Sequence, residues 1–313
     1  MRQAAAMSSA FQRDSAVAAD PDVPGRHHAH LPMSWAAPNV PQGGISLAAA
    51  VRAMHAELAS DDMSLRSVSC VFAAPVDAGD AEIDVTVLRR GRSVAQASAT
   101  MRTPGRAAGL TAIAVFGASR PGFEFTDVGT PEFPDPMTLP RFRDPLPDGV
   151  DLGPPFPIWA NHIEGRPVVG HAPWDDYEPT SSERQTIQRF DEPPWLEDGT
   201  IDPLALVCLC DVMPGAVAER MGPSPETPWY GPSADLTVHI TGVARSEWVL
   251  MRNRARRAGD GYASVEIELW DPEAGLVAYG TQTMIFTFAA GPPEGEARFP
   301  ADVRRRRAAE REG

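Results

Sequence analysis

Two segments of this 313-residue chain have helical composition but almost no polar face, and they constrain the fold more than any other feature. The first, GGISLAAAVRAMHAELA, covers residues 43–59, and the second, DPLALVCLCDVMPGAVAERM, covers residues 202–221. Asp202 is a suitable N-cap and Pro203 a suitable first residue for the second helix. A helix that is apolar nearly all round must be buried on most sides. Because each half of the chain contains one such helix, the simplest arrangement is a sheet curved around each.

The same series of strand-like segments follows each helix, which predicts two equivalent units. Turn sequences such as AGDG and DPEAG separate several of these segments. The segments at 26–35 and 182–195 are expected to provide the opening strand of each unit. The predicted strands lie at residues 67–76, 81–90, 93–102 and 110–117 in the first unit, and at 234–243, 247–257, 262–270 and 275–288 in the second.

A proline-rich stretch separates the two units. Its prolines are too dense for a regular helix or a central strand, so we interpret it as a linker that lies against the protein surface. The charged C-terminal tail lacks the apolar residues that a core needs and is expected to be disordered. The predicted organisation is an N-terminal unit at 1–119, the linker at 120–157, a C-terminal unit at 158–290 and the tail at 291–313.

Charge and composition exclude several classes of protein. The formal net charge of -14 argues against a general nucleic-acid-binding protein. No apolar run is long enough for a membrane span, and the N-terminus lacks the apolar core of a signal peptide, so we expect a cytoplasmic protein. Three cysteines and the histidines of RHHAH form neither a disulfide framework nor a zinc pattern, so no metal site is predicted.

Gln282 is the one polar side chain on the apolar face of the last predicted strand, LVAYGTQTMIFTF. Side chains alternate along a strand, so Gln282 shares its face with neighbours such as Gly280 and Met284. An amide buried without partners costs about 1–3 kcal/mol. Gln282 is therefore expected to have polar partners, and Asp211, the first acid after PLALVCLC in the second apolar helix, needs partners for the same reason.

With these features in this order, the chain resembles the acyl-CoA thioesterase II family over nearly its whole length. The resemblance is carried by the Gly43-Gly44 helix start, the VFAAPV strand, the LRRGRS hairpin, Asp211, and the sequences SADLTVH, EWVLM and LVAYGTQ. It implies an α+β double hotdog fold, with two antiparallel sheets that each wrap around a central apolar helix. The two units would then form a pseudo-dimer within one chain.

The resemblance also implies a catalytic set. In the family, an Asp of the second helix, a Ser or Thr of the next strand and a Gln of the last strand hold the water that attacks a thioester. By position, Asp211 and Gln282 correspond to the first and the last. The hydroxyl is that of Ser233, which we favour, or of Thr237, four residues later on the same predicted strand face. The alternative for Asp211 is a structural role, bonding backbone near Pro214.

Substrate contacts are expected at two places. Free N–H groups at the start of the first helix, at Gly43 and Gly44, are candidate donors to the thioester oxyanion. A tight turn into the helix is the alternative reading. Arg252 and Arg254 alternate onto one strand face and are candidates for the phosphates of coenzyme A, although a solvated sheet face would look the same.

The function that the resemblance implies is hydrolysis of a fatty acyl-CoA to the free acid and coenzyme A, with no cofactor. No G-x-S-x-G sequence is present, which disfavours a serine-hydrolase triad. A non-catalytic acyl-CoA-binding hotdog protein is the alternative. A hotdog hydratase is a third reading, which the lack of a paired Asp and His on one short segment disfavours. Acyl-CoA is the expected partner, and assembly into a homo-oligomer stays open.

Overall fold

The N-terminal half of the chain folds as six strands around one long helix. The computed structural model describes residues 8–60, 62–212, 214–222 and 228–312. The strands of this half are β1 (Val17–Ala19), β2 (Arg26–Leu31), β3 (Ser64–Phe72), β4 (Gly79–Arg90), β5 (Val94–Arg102) and β6 (Leu110–Gly117), and the helices are α1 (Ala10–Asp14) and α2 (Gly43–Leu58).

The C-terminal half repeats this arrangement with additional short elements. No helix in the described part of the chain is both long and apolar enough to span a membrane. The strands of this half are β7 (Ile163–Val169), β8 (Glu183–Phe190), β9 (Trp229–Tyr230), β10 (Asp235–Ile240), β11 (Val249–Gly259), β12 (Tyr262–Asp271), β13 (Gly275–Ile285) and β14 (Thr287–Phe288), and the helices are α3 (Pro157–Asn161), α4 (Pro203–Cys210), α5 (Pro214–Met221) and α6 (Ala301–Glu312).

Twelve of the strands form one antiparallel sheet, in the order β1-β2-β4-β5-β6-β3-β10-β13-β12-β11-β8-β7. Outward from the central β3–β10 pair, equivalent strands follow in the same order in the two halves: β3, β6, β5, β4, β2 and β1 on one side, and β10, β13, β12, β11, β8 and β7 on the other. The two expected sheets, one in each half of the chain, are thus joined edge to edge into one. β3 and β10 are the inner edges of the two units, and their unpaired backbone groups bond to each other, with Ser69 opposite Thr237. This pairing makes the pseudo-dimer one continuous structure.

The core lies between the sheet and the two apolar helices. α2 buries eleven of its sixteen residues, and α4 buries every residue after its first proline. α2 packs on α4 and on the inner faces of β4 and β5. The inward positions of β5 are small, with Ala95, Ala97 and Ala99 completely or almost completely buried, which allows the helix to lie close to the sheet. The predicted helix-in-sheet packing is thus present in both halves.

The second apolar segment forms two helices, where the sequence predicted one. α4 ends at Cys210, and α5 begins at Pro214. Proline lacks an N–H for the helix and disfavours helical backbone in the residue before it. Asp211 is the C-cap of α4 and has left the helical conformation, with φ -91° and ψ 51°. Its side chain therefore projects from a helix end. Met213 lies outside the described residues.

The linker and the tail pack against the C-terminal half. The 120–157 segment contains one short 3-10 helix, Pro136–Thr138, and ends at the first residue of α3, with no other regular structure. It crosses the outer face of the sheet, where Arg252 donates to the carbonyl oxygen of Gly129. The tail, expected to be disordered, contains α6, and Asp302 of this helix forms an ion pair with Arg220 of α5.

Candidate active site

Three polar groups from separate elements converge on the carboxylate of Asp211, where the end of α4 meets the start of α2. The backbone N–H of Gly44 donates to Oδ2 at 3.0 Å. The hydroxyl of Ser233 donates to Oδ1 at 2.8 Å, and Nε2 of Gln282 donates to the same oxygen at 3.0 Å. The carboxylate thus accepts three hydrogen bonds, which is the arrangement that a partly buried anion requires.

The glycine pair permits the close approach of the two helix ends. A Cβ at Gly43 would lie 2.7 Å from the Phe72 ring and 2.8 Å from Oδ2 of Asp211. A Cβ at Gly44 would lie 2.7 Å from the carbonyl oxygen of Cys208. Only glycine leaves room for these contacts. The N–H of Gly44, expected to be free for substrate, is directed at Asp211.

The structure brings Ser233 to the carboxylate and places Thr237 on the other face of the sheet. Thr237 lies opposite Thr281 of β13, whereas Ser233 bridges to Met284, so the register changes by one residue between the two pairs. A one-residue irregularity of this kind exchanges the faces to which side chains point. Thr237 instead donates to the hydroxyl of Ser69 at 3.0 Å.

Gln282 projects inward from β13 between two buried neighbours, Gly280 and Met284, and is itself only 3% exposed. Besides Asp211, its Nε2 contacts the hydroxyl oxygen of Ser233. Its Oε1 is buried and has no hydrogen-bond partner among the described residues. A buried amide oxygen is expected to have a partner. This oxygen is therefore a ready acceptor for a small donor such as water.

Burial raises the pKa of Asp211 from its ordinary value of 3.8 to about 6. The hydrogen bonds from Ser233, Gly44 and Gln282 act in the opposite direction, because they favour the ionised form. The residue retains partial surface exposure. A carboxylate that is ionised at neutral pH, yet more basic than an exposed one, is suited to accept a proton.

Gln42 is a site residue that the sequence analysis missed. Its Nε2 donates to the carbonyl oxygens of Asp211, at 2.8 Å, and of Cys208, at 3.1 Å. The available signal was its position directly before the Gly43-Gly44 pair. Nothing in the local sequence indicated that its partners lie 166 and 169 residues further along the chain.

Arg252 and Arg254 are not brought to Asp211. They lie on the outer face of the C-terminal half, where Arg252 is 9% exposed and forms an ion pair with the buried Glu268. Arg254 pairs with Glu183 at 2.7 Å and with Glu268 at 3.3 Å. Their positive charges are therefore offset by carboxylates of neighbouring strands.

Solved structures with the same architecture come from several bacteria. A hotdog-fold protein of unknown function from Alicyclobacillus acidocaldarius is 23% identical, with 91% of this chain and 100% of that chain covered and a TM-score of 0.74. A candidate thioesterase II from Thermobifida fusca is 22% identical over 90% and 98%, with a TM-score of 0.71. An acyl-CoA thioesterase II from Mycobacterium marinum is 18% identical over 90% and 100%, with a TM-score of 0.66.

These similarities show that the chain has the double hotdog fold. A search of curated proteins found no significant match. The sequence itself matches two models of one family. Residues 31–117 match the acyl-CoA thioesterase N-terminal domain, and residues 131–286 match the acyl-CoA thioesterase C-terminal domain. Because both domain models match in order and together cover most of the sequence, the chain belongs to the acyl-CoA thioesterase family.

Proposed function

We propose that the protein hydrolyses a fatty acyl-CoA thioester to the free acid and coenzyme A, by direct attack of water. The observation that carries this proposal is the convergence of Asp211, Ser233 and Gln282 on one point at the α2–α4 junction. A protein that only binds acyl-CoA has no need for a basic carboxylate held by two side-chain donors. The family membership supports the same reaction.

In the proposed reaction, Asp211 accepts a proton from a water molecule while the water oxygen attacks the thioester carbonyl carbon. A tetrahedral intermediate forms, and its carbon–sulfur bond then breaks. The departing thiolate takes the proton held by Asp211, so water has supplied the hydroxyl of the acid and the hydrogen of the thiol. Asp211 is ionised again after each turnover.

Gln282 and Ser233 are proposed to orient the water. The unpartnered Oε1 of Gln282 would accept one of its hydrogens. The hydroxyl of Ser233, bonded to Oδ1 of Asp211, keeps the carboxylate in one orientation. Holding the nucleophile and the base in place removes an entropic cost from the attack.

The N-terminal end of α2 is proposed to stabilise the oxyanion of the intermediate. Backbone N–H groups and the positive end of the helix dipole meet at this end. The backbone N–H groups of Gly44 and, more weakly, of Gly43 favour the ionised carboxylate of Asp211, so either would have to exchange that partner to bind the oxyanion. Because Arg252 and Arg254 are paired with carboxylates, we do not assign the coenzyme A phosphates to them.

The test is thiol release, followed colorimetrically, from short-, medium- and long-chain acyl-CoAs. Wild type is compared with Gln282→Ala, and Thr237→Ala serves as a matched control on the same sheet. The proposal predicts turnover by wild type and Thr237→Ala, with a strong loss in Gln282→Ala. Saturable acyl-CoA binding without turnover at any chain length would contradict hydrolysis and leave the non-catalytic binding protein.

A further inference from the structure

Gln42 stands directly before α2, but its side chain turns away from that helix. It occupies the N-cap position and makes no side-chain bond to the α2 backbone. Its Nε2 reaches α4 instead, at the carbonyl oxygens of Cys208 and Asp211, and its Oε1 accepts a bond of 3.2 Å from Sγ of Cys208. Gln42 is 5% exposed, so these bonds are shielded from water.

The bonds from Gln42 satisfy the end of the helix that carries Asp211. The last carbonyl oxygens of any α-helix lack partners within the helix. The backbone N–H of Asp211 reaches the Cys208 oxygen only at 3.3 Å, which is a long bond. Gln42 thus provides, from the other half of the chain, the side-chain donor for the carbonyl oxygens at the C-terminal end of α4.

Residues 42–44 therefore bind Asp211 at two places, its backbone and its side chain. Gln42 binds the carbonyl oxygen of Asp211, and Gly44, two residues later, binds its carboxylate. We propose that Gln42 is a positioning residue: by fixing the backbone of Asp211, it keeps the carboxylate within reach of its donors. Gln42 acts through Asp211. This inference rests on the proposed function, because it assigns Gln42 a part in the same reaction.

Gln42→Met tests the inference, because methionine keeps the length of the side chain and loses both hydrogen-bonding groups. A misplacement of about 1 Å in a catalytic group costs on the order of 100-fold in rate. We expect kcat to fall by about that factor, with KM for acyl-CoA changed less than about threefold. A displaced carboxylate also loses the donors that favour its ionised form. The acid limb of the pH–rate profile should therefore move to higher pH.

Gln188→Met is the matched control. Gln188 is 4% exposed, and its amide donates to Thr186 Oγ1 of the same strand, β8. The substitution removes a buried amide of the same kind at a place with no bond to Asp211. We expect kcat and the acid limb of this variant to stay at wild-type values, whatever its effect on the free energy of unfolding.

Cys208 provides a second pair of variants for the case in which Gln42→Met does not fold. Cys208→Ala removes the donor to Oε1 of Gln42, whereas Cys208→Ser replaces it with a hydroxyl donor. We expect a loss of about tenfold in kcat for the alanine variant. The serine variant should remain close to wild type. Equal activity of the two variants would contradict the positioning role.

The inference is overturned if Gln42→Met and Gln188→Met have the same kcat and the same acid limb. Absence of turnover in wild type would instead refute the proposed function. In that case an NMR titration of the Asp211 carboxyl still tests the inference. A pKa that rises in Gln42→Met, and not in Gln188→Met, supports it, and an unchanged pKa in both refutes it.

Discussion

Replacing Asp211 with asparagine should change how stability depends on pH. The folded-state pKa of about 6 is higher than the ordinary value of 3.8, so the folded protein binds a proton that the unfolded chain releases more easily. The ionised carboxylate therefore destabilises the fold, and stability falls as the pH rises from about 4 to beyond about 6. The shift in this pKa corresponds to a total loss of about 3 kcal/mol in the free energy of unfolding.

The assay is denaturant unfolding of wild type and Asp211→Asn at a series of pH values. Because asparagine does not titrate, the difference between the two proteins isolates this one group from the other carboxylates. Between about pH 4.5 and about pH 7.5, wild type should lose about 2 kcal/mol relative to the variant. Parallel pH profiles of the two proteins would refute the reasoning that burial raises this pKa.

Three further predictions follow from the contacts of the site and of the outer sheet face. Ser233→Ala should lower kcat by about 100-fold, whereas Thr237→Ala should not; equal effects would contradict the assigned faces. Gly44→Ala should lower both activity and the free energy of unfolding, the latter by about 1–3 kcal/mol, because its methyl group meets the α4 backbone; a stable, active variant would contradict this packing. Arg252→Ala should destabilise the fold by about 1–3 kcal/mol, because the buried Glu268 loses its main partner and keeps only the longer contact with Arg254, with KM for acyl-CoA unchanged in the folded protein. A raised KM without a loss of stability would contradict this and indicate that Arg252 binds the substrate.

Much of the fold follows from patterns that act over short distances. The helix predicted at 43–59 from its missing polar face is present as Gly43–Leu58, and the strand predicted at 110–117 is present with those bounds. The AGDG turn joins β11 to β12, with Asp260 and Gly261 at positive φ. The prediction that Gln282 has polar partners is confirmed by its bonds to Asp211 and Ser233.

The features that the sequence analysis missed depend on register and on distant contacts. In a regular hairpin that contains the pair Gly259–Tyr262, Arg252 would lie opposite Leu269. A bulge near Ala255 shifts the register by one, and Arg252 lies opposite Glu268. The same kind of shift separates Ser233 from Thr237. A one-residue bulge leaves no mark in hydrophobic alternation over so short a segment.

The break between α4 and α5 did have a local signal. Pro214 disfavours helical backbone in the residue before it, yet the apolar composition of the segment favoured one continuous helix. The bonds of Gln42 could not be predicted from its position before the glycine pair, because its partners Cys208 and Asp211 become neighbours only when α2 packs on α4. Local patterns thus predict the elements, while the packing of the two halves determines the contacts within the site.

The most direct test of the central claim is the single-substrate turnover of wild type beside Asp211→Asn, after both are shown to be folded and to bind acyl-CoA. If Asp211 is the base that activates water, the variant should lose at least about 1,000-fold in kcat with little change in affinity. The kcat/KM of wild type should fall below about pH 6 with the titration of one group. A variant that retains more than about a tenth of wild-type turnover would contradict the account.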